Sequence, residues 1–257
     1  MDTTNIWIIG IIASTIAGLS TALGALTVLI KIKLNDAIIS SSMGFGAGVM
    51  LAASSFSLII PAYDMMSGNW IEKGAVISAG LFVGALFIYI AEALLPHEHF
   101  YKGKEGPSAI SIKRSWLFVI AIAIHNFPEG LAVGVSFGGA NMENAYAITT
   151  GIALQNFPEG LVAAIALVAV GYSRLFSFSI AALTGLIEFS GGLIGLAATH
   201  GIGLYVPFFL AFSAGAMIYV VSHEVIPESH RRGFEKHASW GLMIGFALMM
   251  TLDKIFE

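Results

Sequence analysis

The sequence predicts an all-α integral membrane protein with eight transmembrane helices, the central helices 4 and 5 kinked and both termini extracytoplasmic. Three observations lead there. Of its 257 residues, 57% are hydrophobic and only 11% are charged, with a mean hydropathy of +0.85, whereas a soluble domain carries about 25% charged residues. The apolar residues fall into eight stretches long enough for a crossing, which takes about 20 residues. Two copies of one hexapeptide, His125-Asn126-Phe127-Pro128-Glu129-Gly130 and Gln155-Asn156-Phe157-Pro158-Glu159-Gly160, stand 30 positions apart inside the fourth and fifth of these stretches.

The spans are expected near 6–30, 43–62, 71–95, 116–138, 145–171, 176–200, 203–225 and 238–255. The first follows acidic Asp2 and is too long for the apolar core of a cleaved signal peptide, so it reads as a spanning helix. Connections are short apart from His97 to Ser115, which leaves one transmembrane domain over 1–257. Trp7, Trp70, Trp116 and Trp240 each stand at the start of a span, where an amphipathic ring suits the headgroup region. The loops after spans one, three, five and seven hold ten of the 12 Lys and Arg residues, leaving Lys73 and Lys254 for the other side. The positive-inside rule then directs both termini outward. Glycines such as Gly44, Gly46, Gly48, Gly191 and Gly192 allow helices to approach closely where packing drives association.

Composition also excludes functions. With no cysteine in the chain, disulfides and thiolate ligands are ruled out, so a metal must be held by nitrogen, oxygen or thioether groups. A net charge of −4 without a basic cluster argues against a nucleic-acid partner. ATP-driven pumping lacks its P-loop and nucleotide domain.

Within span four, His125 and Glu129 are four residues apart and share one helix face, and Gln155 and Glu159 repeat this in span five. Pro128 and Pro158 have no N–H for the carbonyls of Ile124 and Leu154, so each helix is expected to kink at the same depth. Glu188 lies at the centre of span six and Met50 near that of span two. Ionisable groups at membrane depth are costly and mark ion pathways. Imidazole from His125, carboxylates from Glu129, Glu159 and Glu188, carboxamides from Asn126, Gln155 and Asn156, and a thioether from Met50 suit a borderline divalent cation, Zn²⁺ best, rather than Mg²⁺ or Ca²⁺. Two ions bridged by Glu129 and Glu159 would balance three carboxylates better than one.

The twin motif, the run Met50-Leu51-Ala52-Ala53, Glu188 and the segment Ser222-His223-Glu224-Val225-Ile226-Pro227 resemble the ZIP (Zrt/Irt-like protein) family of divalent metal transporters, particularly its bacterial members. The resemblance implies an eight-helix, multi-pass protein of the cell (plasma or inner) membrane, often a homodimer. Its activity would be import of Zn²⁺ and related ions such as Cd²⁺, Fe²⁺ and Mn²⁺ into the cytoplasm through a binuclear site. It implies one metal on Met50, His125, Glu129, Gln155 and Glu159, and another on Asn126, Glu129, Asn156, Glu159 and Glu188. The bound ion is cargo, and no cofactor is expected. Many members carry a second His where this chain has Gln155, and some carry Asp in place of Asn156, which makes the second position here less negative. The long histidine-rich cytoplasmic loop of eukaryotic relatives is replaced by His97-Glu98-His99.

On the same cytoplasmic side, His97, Glu98, His99, His223, Glu224, Glu228 and His230 are candidates for an exit relay, and Asp64, Glu72, Glu143 and His200 for an acidic outer mouth. Two other functions compete. An intramembrane metallohydrolase would need His-Glu-x-x-His, but His97-Glu98 meets Tyr101 and His223-Glu224 meets Pro227 at the second His position. A passive channel holds ions weakly at successive sites, whereas several carboxylates on one ion imply tight binding and release by alternating access. The moving group is expected to be kinked spans four and five against one, three, six and eight, or the reverse.

Overall fold

The computed structural model of the chain describes residues 3–30, 35–94, 97–99, 103–105, 114–138, 142–169, 171–201, 205–231 and 233–256, with side chains of 3, 97–99, 103–105, 114–118, 121, 169, 200, 201 and 256 excepted. These residues form eight long helical rods. Helix α1 (Thr3–Leu26) ends in a 3₁₀ turn at Thr27–Ile30, and α2 (Asp36–Ala52) passes through a π-helical segment, Ala53–Ile59, into α3 (Ile60–Asp64). Single rods α4 (Trp70–Leu94), α5 (Arg114–Gly138), α6 (Met142–Ala169) and α7 (Arg174–Gly201) follow. The seventh rod joins α8 (Val206–Val220), a second π-helical segment at Val221–Val225 and α9 (Ile226–His230), and α10 (Glu235–Phe256) closes the chain. Seven rods are long and apolar enough to cross a membrane, as a multi-pass protein requires. The eighth is α5, 25 residues long.

Rods begin earlier than hydropathy predicts, because polar first turns are set by capping rather than by burial. Asn35 Oδ1 accepts the N–H of Ile38 at 2.9 Å and starts α2 at Asp36 instead of 43. Asn69 Oδ1 accepts from Ile71 and Glu72, each at 3.0 Å, and starts α4. Between α6 and α7 the chain turns at Gly171, whose φ of 95° suits glycine. The stretch expected to be loop after α4 contains a short hairpin, β1 (His97–His99) against β2 (Gly103–Glu105), antiparallel with Glu98 opposite Lys104. It is the one departure from an all-helical chain among the described residues.

Two departures from α geometry, the π-helical segments, stand at positions the sequence reading did not single out. Helices α5 and α6 continue as helix through Pro128 and Pro158. The widened turns precede Pro61 and Pro227, each in the first turn of the helix that follows. A proline ring crowds the carbonyl four residues back and offers it no N–H, and a π-turn is one way to absorb this. For Pro61 that carbonyl belongs to Ser57, and Asn144 Nδ2 of α6 donates to it at 2.7 Å.

Helices pack in two sets of four. In the first, α5 and α7 interlock through small residues on both sides. A Cβ on Gly130 would fall on the carbonyl of Glu188 and one on Gly134 on that of Gly192, while Gly191 and Gly195 face the carbonyls of Phe127 and Leu131. Helix α1 joins this pair at Gly18 against Gly185, and joins α6 where Gly160 meets the carbonyl of Thr21. The second set pairs α2 with α10 (Gly44 and Gly48 against Ala238 and Leu242) and α4 with α8 (Gly84 against Phe212). Spans one and six therefore pack with four and five, while three and eight fall in the second set. Between the sets run the Asn144–Ser57 bond and the rings of Phe87 and Phe127, 5.8 Å apart. Outward faces carry apolar side chains such as Phe82 and Leu186, with Trp70 and Trp240 exposed near rod ends, the arrangement a lipid belt requires.

Gly130→Ala is expected to force α5 from α7 and lower stability by about 1–3 kcal/mol, the usual cost of overpacking. Gly74→Ala in α4 adds a Cβ that meets nothing within 4 Å and should leave stability unchanged. Thermal midpoints in detergent, read by size-exclusion of heated samples, compare the two; equal midpoints would show that the contact at Glu188 does not constrain the pair.

Candidate metal centre

Helical spacing brings the predicted groups together. His125 and Glu129 share a face of α5, Gln155 and Glu159 a face of α6, and both faces meet Met50 of α2. All five line one cavity of about 90 Å³, together with Ser42, Gly46, Glu224 and Glu228. The cavity lies at the boundary of the two helix sets. It runs toward the end of the bundle where α2 begins and α9 ends, opposite the end that holds both termini. His125 and Met50 are buried, at 6% and 4% exposure, and Glu159 is half-buried. Glu129 is 1% exposed, and neither of its carboxylate oxygens has a hydrogen-bond donor in bonding geometry among the described residues, although the Gln155 amide lies beside it. Its charged neighbours are Glu159 and Glu188. Buried polar atoms are normally paired, so such a carboxylate is chemically prepared for a cation. Oxygen, imidazole and thioether donors around one small cavity fit a borderline divalent ion.

The other three predicted residues stand behind this cavity and do not line it. Asn126, Asn156 and Glu188 are each 0% exposed, packed between α5, α6, α7 and α1. Asn156 Nδ2 donates to Glu188 Oε1 and Oε2 at 2.7 and 2.8 Å, and lies 3.0 Å from the carbonyl of Ala17. Asn126 Nδ2 reaches Thr184 Oγ1 at 3.4 Å. Gly130 and Gly160, which end the two motifs, act through size, since each lets a neighbouring backbone close on the residues that precede it.

A second cluster lies one step along the cavity. His125 Nε2 is 2.8 Å from Glu224 Oε2, and ligand atoms of Glu92, His125 and Glu224 all lie within 4.8 Å of one another. Glu224 is delivered by the π-helical segment of the seventh rod, and π-turns recur at functional positions. The sequence offers Glu224 as a candidate for an exit relay but gives no such sign for Glu92, which stands near the end of its apolar span. Glu92 is 5% exposed and receives the hydroxyl of Tyr219 at 3.4 Å.

The remaining candidates divide. Glu228 lines the cavity and pairs with Arg231 Nη1 at 3.7 Å. His223 stacks on Tyr219, with centroids 5.2 Å apart. His230 is engaged with Ile226 O at 2.9 Å and Ser239 Oγ at 3.1 Å, which ties α9 to α10. The side chains of His97, Glu98, His99 and His200 lie outside the described residues. Asp64, Glu72 and Glu143 are exposed at the end of the bundle that holds the termini. Asp253 of α10 was not anticipated; it is 5% exposed and accepts the hydroxyl of Ser57 at 2.6 Å.

Comparison with known proteins identifies the family. A family model described as ZIP Zinc transporter matches residues 97–253. The chain is 44% identical over 247 residues to the zinc transporter GufA of Myxococcus xanthus, covering 95% of this chain and 97% of that protein. It is 45% identical over 242 residues to the zinc transporter ZIPB of Bordetella bronchiseptica, covering 91% and 77% respectively. The zinc transporter ZupT of Chlorobium phaeovibrioides is 35% identical over 253 residues, covering 93% and 94%. With matches that span nearly all of its helices, both hexapeptides and the cavity between them, this chain belongs to the ZIP zinc transporter family.

Proposed function

We propose that the protein is a carrier of Zn²⁺ and related divalent ions, Cd²⁺, Fe²⁺ and Mn²⁺ among them, which imports them across the cell membrane by alternating access and is not an enzyme. The observation that supports this most directly is the Glu129 carboxylate, buried with Met50, His125, Gln155 and Glu159 around one cavity at the boundary of two helix sets. The named function of the relatives agrees with it. In this reading an ion is held by those five side chains, with Glu129 and Glu159 neutralising its charge. The Lys and Arg bias puts the termini outside, so the cavity opens to the cytoplasm.

Release follows from the shared histidine. His125 faces the cavity ligands on one side and Glu224 on the other, so an ion leaving Glu129 and Glu159 is passed to Glu92, His125 and Glu224 without full rehydration. The two sets then move relative to each other, α1, α5, α6 and α7 against α2, α4, α8 and α10, with Met50 as the ligand contributed across the boundary. The kinks expected at Pro128 and Pro158 belong to this motion as proposed flexible points. The homodimer and the location in the plasma or inner membrane rest on the family resemblance.

Proteoliposomes loaded with wild-type protein should take up Zn²⁺ and Cd²⁺ with saturation, and Glu129→Ala with Glu159→Ala should lower the flux at least a hundredfold and remove the bound ion measured by mass spectrometry. Undiminished flux in that variant would make the twin motif structural and end this assignment. Glu92→Ala and Glu224→Ala should each slow uptake severalfold while ion binding at the cavity remains, a split that equilibrium dialysis combined with flux measurement reads. Loss of binding in step with flux would place these two carboxylates in the primary site instead.

A further inference from the structure

We infer that Asn156 stands in for a second metal ion, so that the midplane of this chain holds one cation where the family resemblance implies two. This rests on the metal-carrier reading above and concerns the stoichiometry of the same site.

The argument begins with charge. One divalent ion against Glu129, Glu159 and Glu188 leaves a single negative charge, at Glu188, which the Asn156 amide answers by donating to it. A second ion behind it would bring two further positive charges and meet only one more carboxylate, Glu188, because Asn126 and Asn156 are neutral. The surplus would be confined among residues that are 0% exposed, where no water spreads it, and an uncompensated charge in such a place is strongly disfavoured. An aspartate at 156 would supply the missing negative charge, whereas the asparagine does not.

Geometry supplies the alternative partner for Glu188. The amide nitrogen of Asn156 lies 2.7 and 2.8 Å from its two oxygens. That orientation is fixed by chemistry, since the opposite rotamer would turn Oδ1 onto a carboxylate. The same nitrogen reaches the carbonyl of Ala17 at 3.0 Å, so it ties α6 to both α7 and α1. Close packing reinforces the arrangement: Gly130 brings α5 onto the carbonyl of Glu188 itself. One N–H of Asn156 is thus shared between the two Glu188 oxygens while the other goes to Ala17, and Glu188 becomes a positioning residue for α6 rather than a ligand.

The test counts ions. Purified wild type, Asn156→Asp, Glu188→Gln and the Asn156→Asp, Glu188→Gln double variant are equilibrated with Cd²⁺ alone, and bound metal per chain is measured by mass spectrometry on monodisperse protein. Wild type and Glu188→Gln are expected to bind the same number, Asn156→Asp one more, and the double variant to lose that extra ion. A loss of one ion from wild type on Glu188→Gln, or no gain in Asn156→Asp, would overturn the inference while leaving the carrier reading intact. The Glu129→Ala, Glu159→Ala variant separates the two: if it binds as many ions as wild type, the carrier reading itself fails.

Discussion

A carboxylate inside a bilayer has to be matched by another group, and the arrangement of this protein follows from how each one is matched. An ionised side chain at the centre of a span costs about 3 kcal/mol on insertion scales, and this chain buries several. Asp253 takes a hydroxyl from Ser57, Glu188 takes the amide of Asn156, Glu92 takes the hydroxyl of Tyr219, and Glu224 meets the imidazole of His125. Glu129 differs, because its oxygens face the cavity and carry no donor in bonding geometry among the described residues. The fold therefore gives those carboxylates protein partners and leaves Glu129 at the cavity, where a cation could satisfy it.

That distribution depends on how closely the helices approach. Polar side chains meet across helices only if backbones lie near one another, and the glycines at 130, 134, 191 and 195 bring α5 and α7 to the point where a methyl group would collide with a carbonyl. In the motif the carboxylate and the glycine are adjacent, so the residue that lines the cavity and the residue that sets the helix spacing stand side by side. The two prolines outside the motif have the complementary effect. Pro61 and Pro227 follow widened turns, and the second of these swings Glu224 to His125.

Much of this was legible beforehand. Eight apolar stretches, the twin hexapeptides and Glu188 are signals strong enough to survive any reasonable reading, because lipid tolerates neither exposed backbone nor stray charge. Helix starts were not legible, since Asn35 and Asn69 cap polar turns that hydropathy discounts. Nor were the π-helical segments, because attention fell on the prolines inside the motif rather than on Pro61 and Pro227. Glu92 and Asp253 lie near the ends of their spans, where a charge is easily read as the onset of a loop. Only their partners, Tyr219 and Ser57, distant in sequence, show them to be interior. The division of helices into sets was also out of reach, because it is decided by which glycine faces which carbonyl, and single-sequence reading does not reveal pairing.

The division matters for how an ion can leave. His125, Glu129, Gln155 and Glu159 belong to one set, while Met50, Glu92 and Glu224 belong to the other. Here the strong donors are concentrated on one side, and the ligand across the boundary at the cavity is a thioether, the weakest of the group for a borderline ion. The stronger cross-boundary groups, Glu92 and Glu224, cluster with His125, their ligand atoms within 4.8 Å of one another. His125 thus stands between the cavity carboxylates of its own helix set and Glu224 of the other, 2.8 Å from Glu224 Oε2.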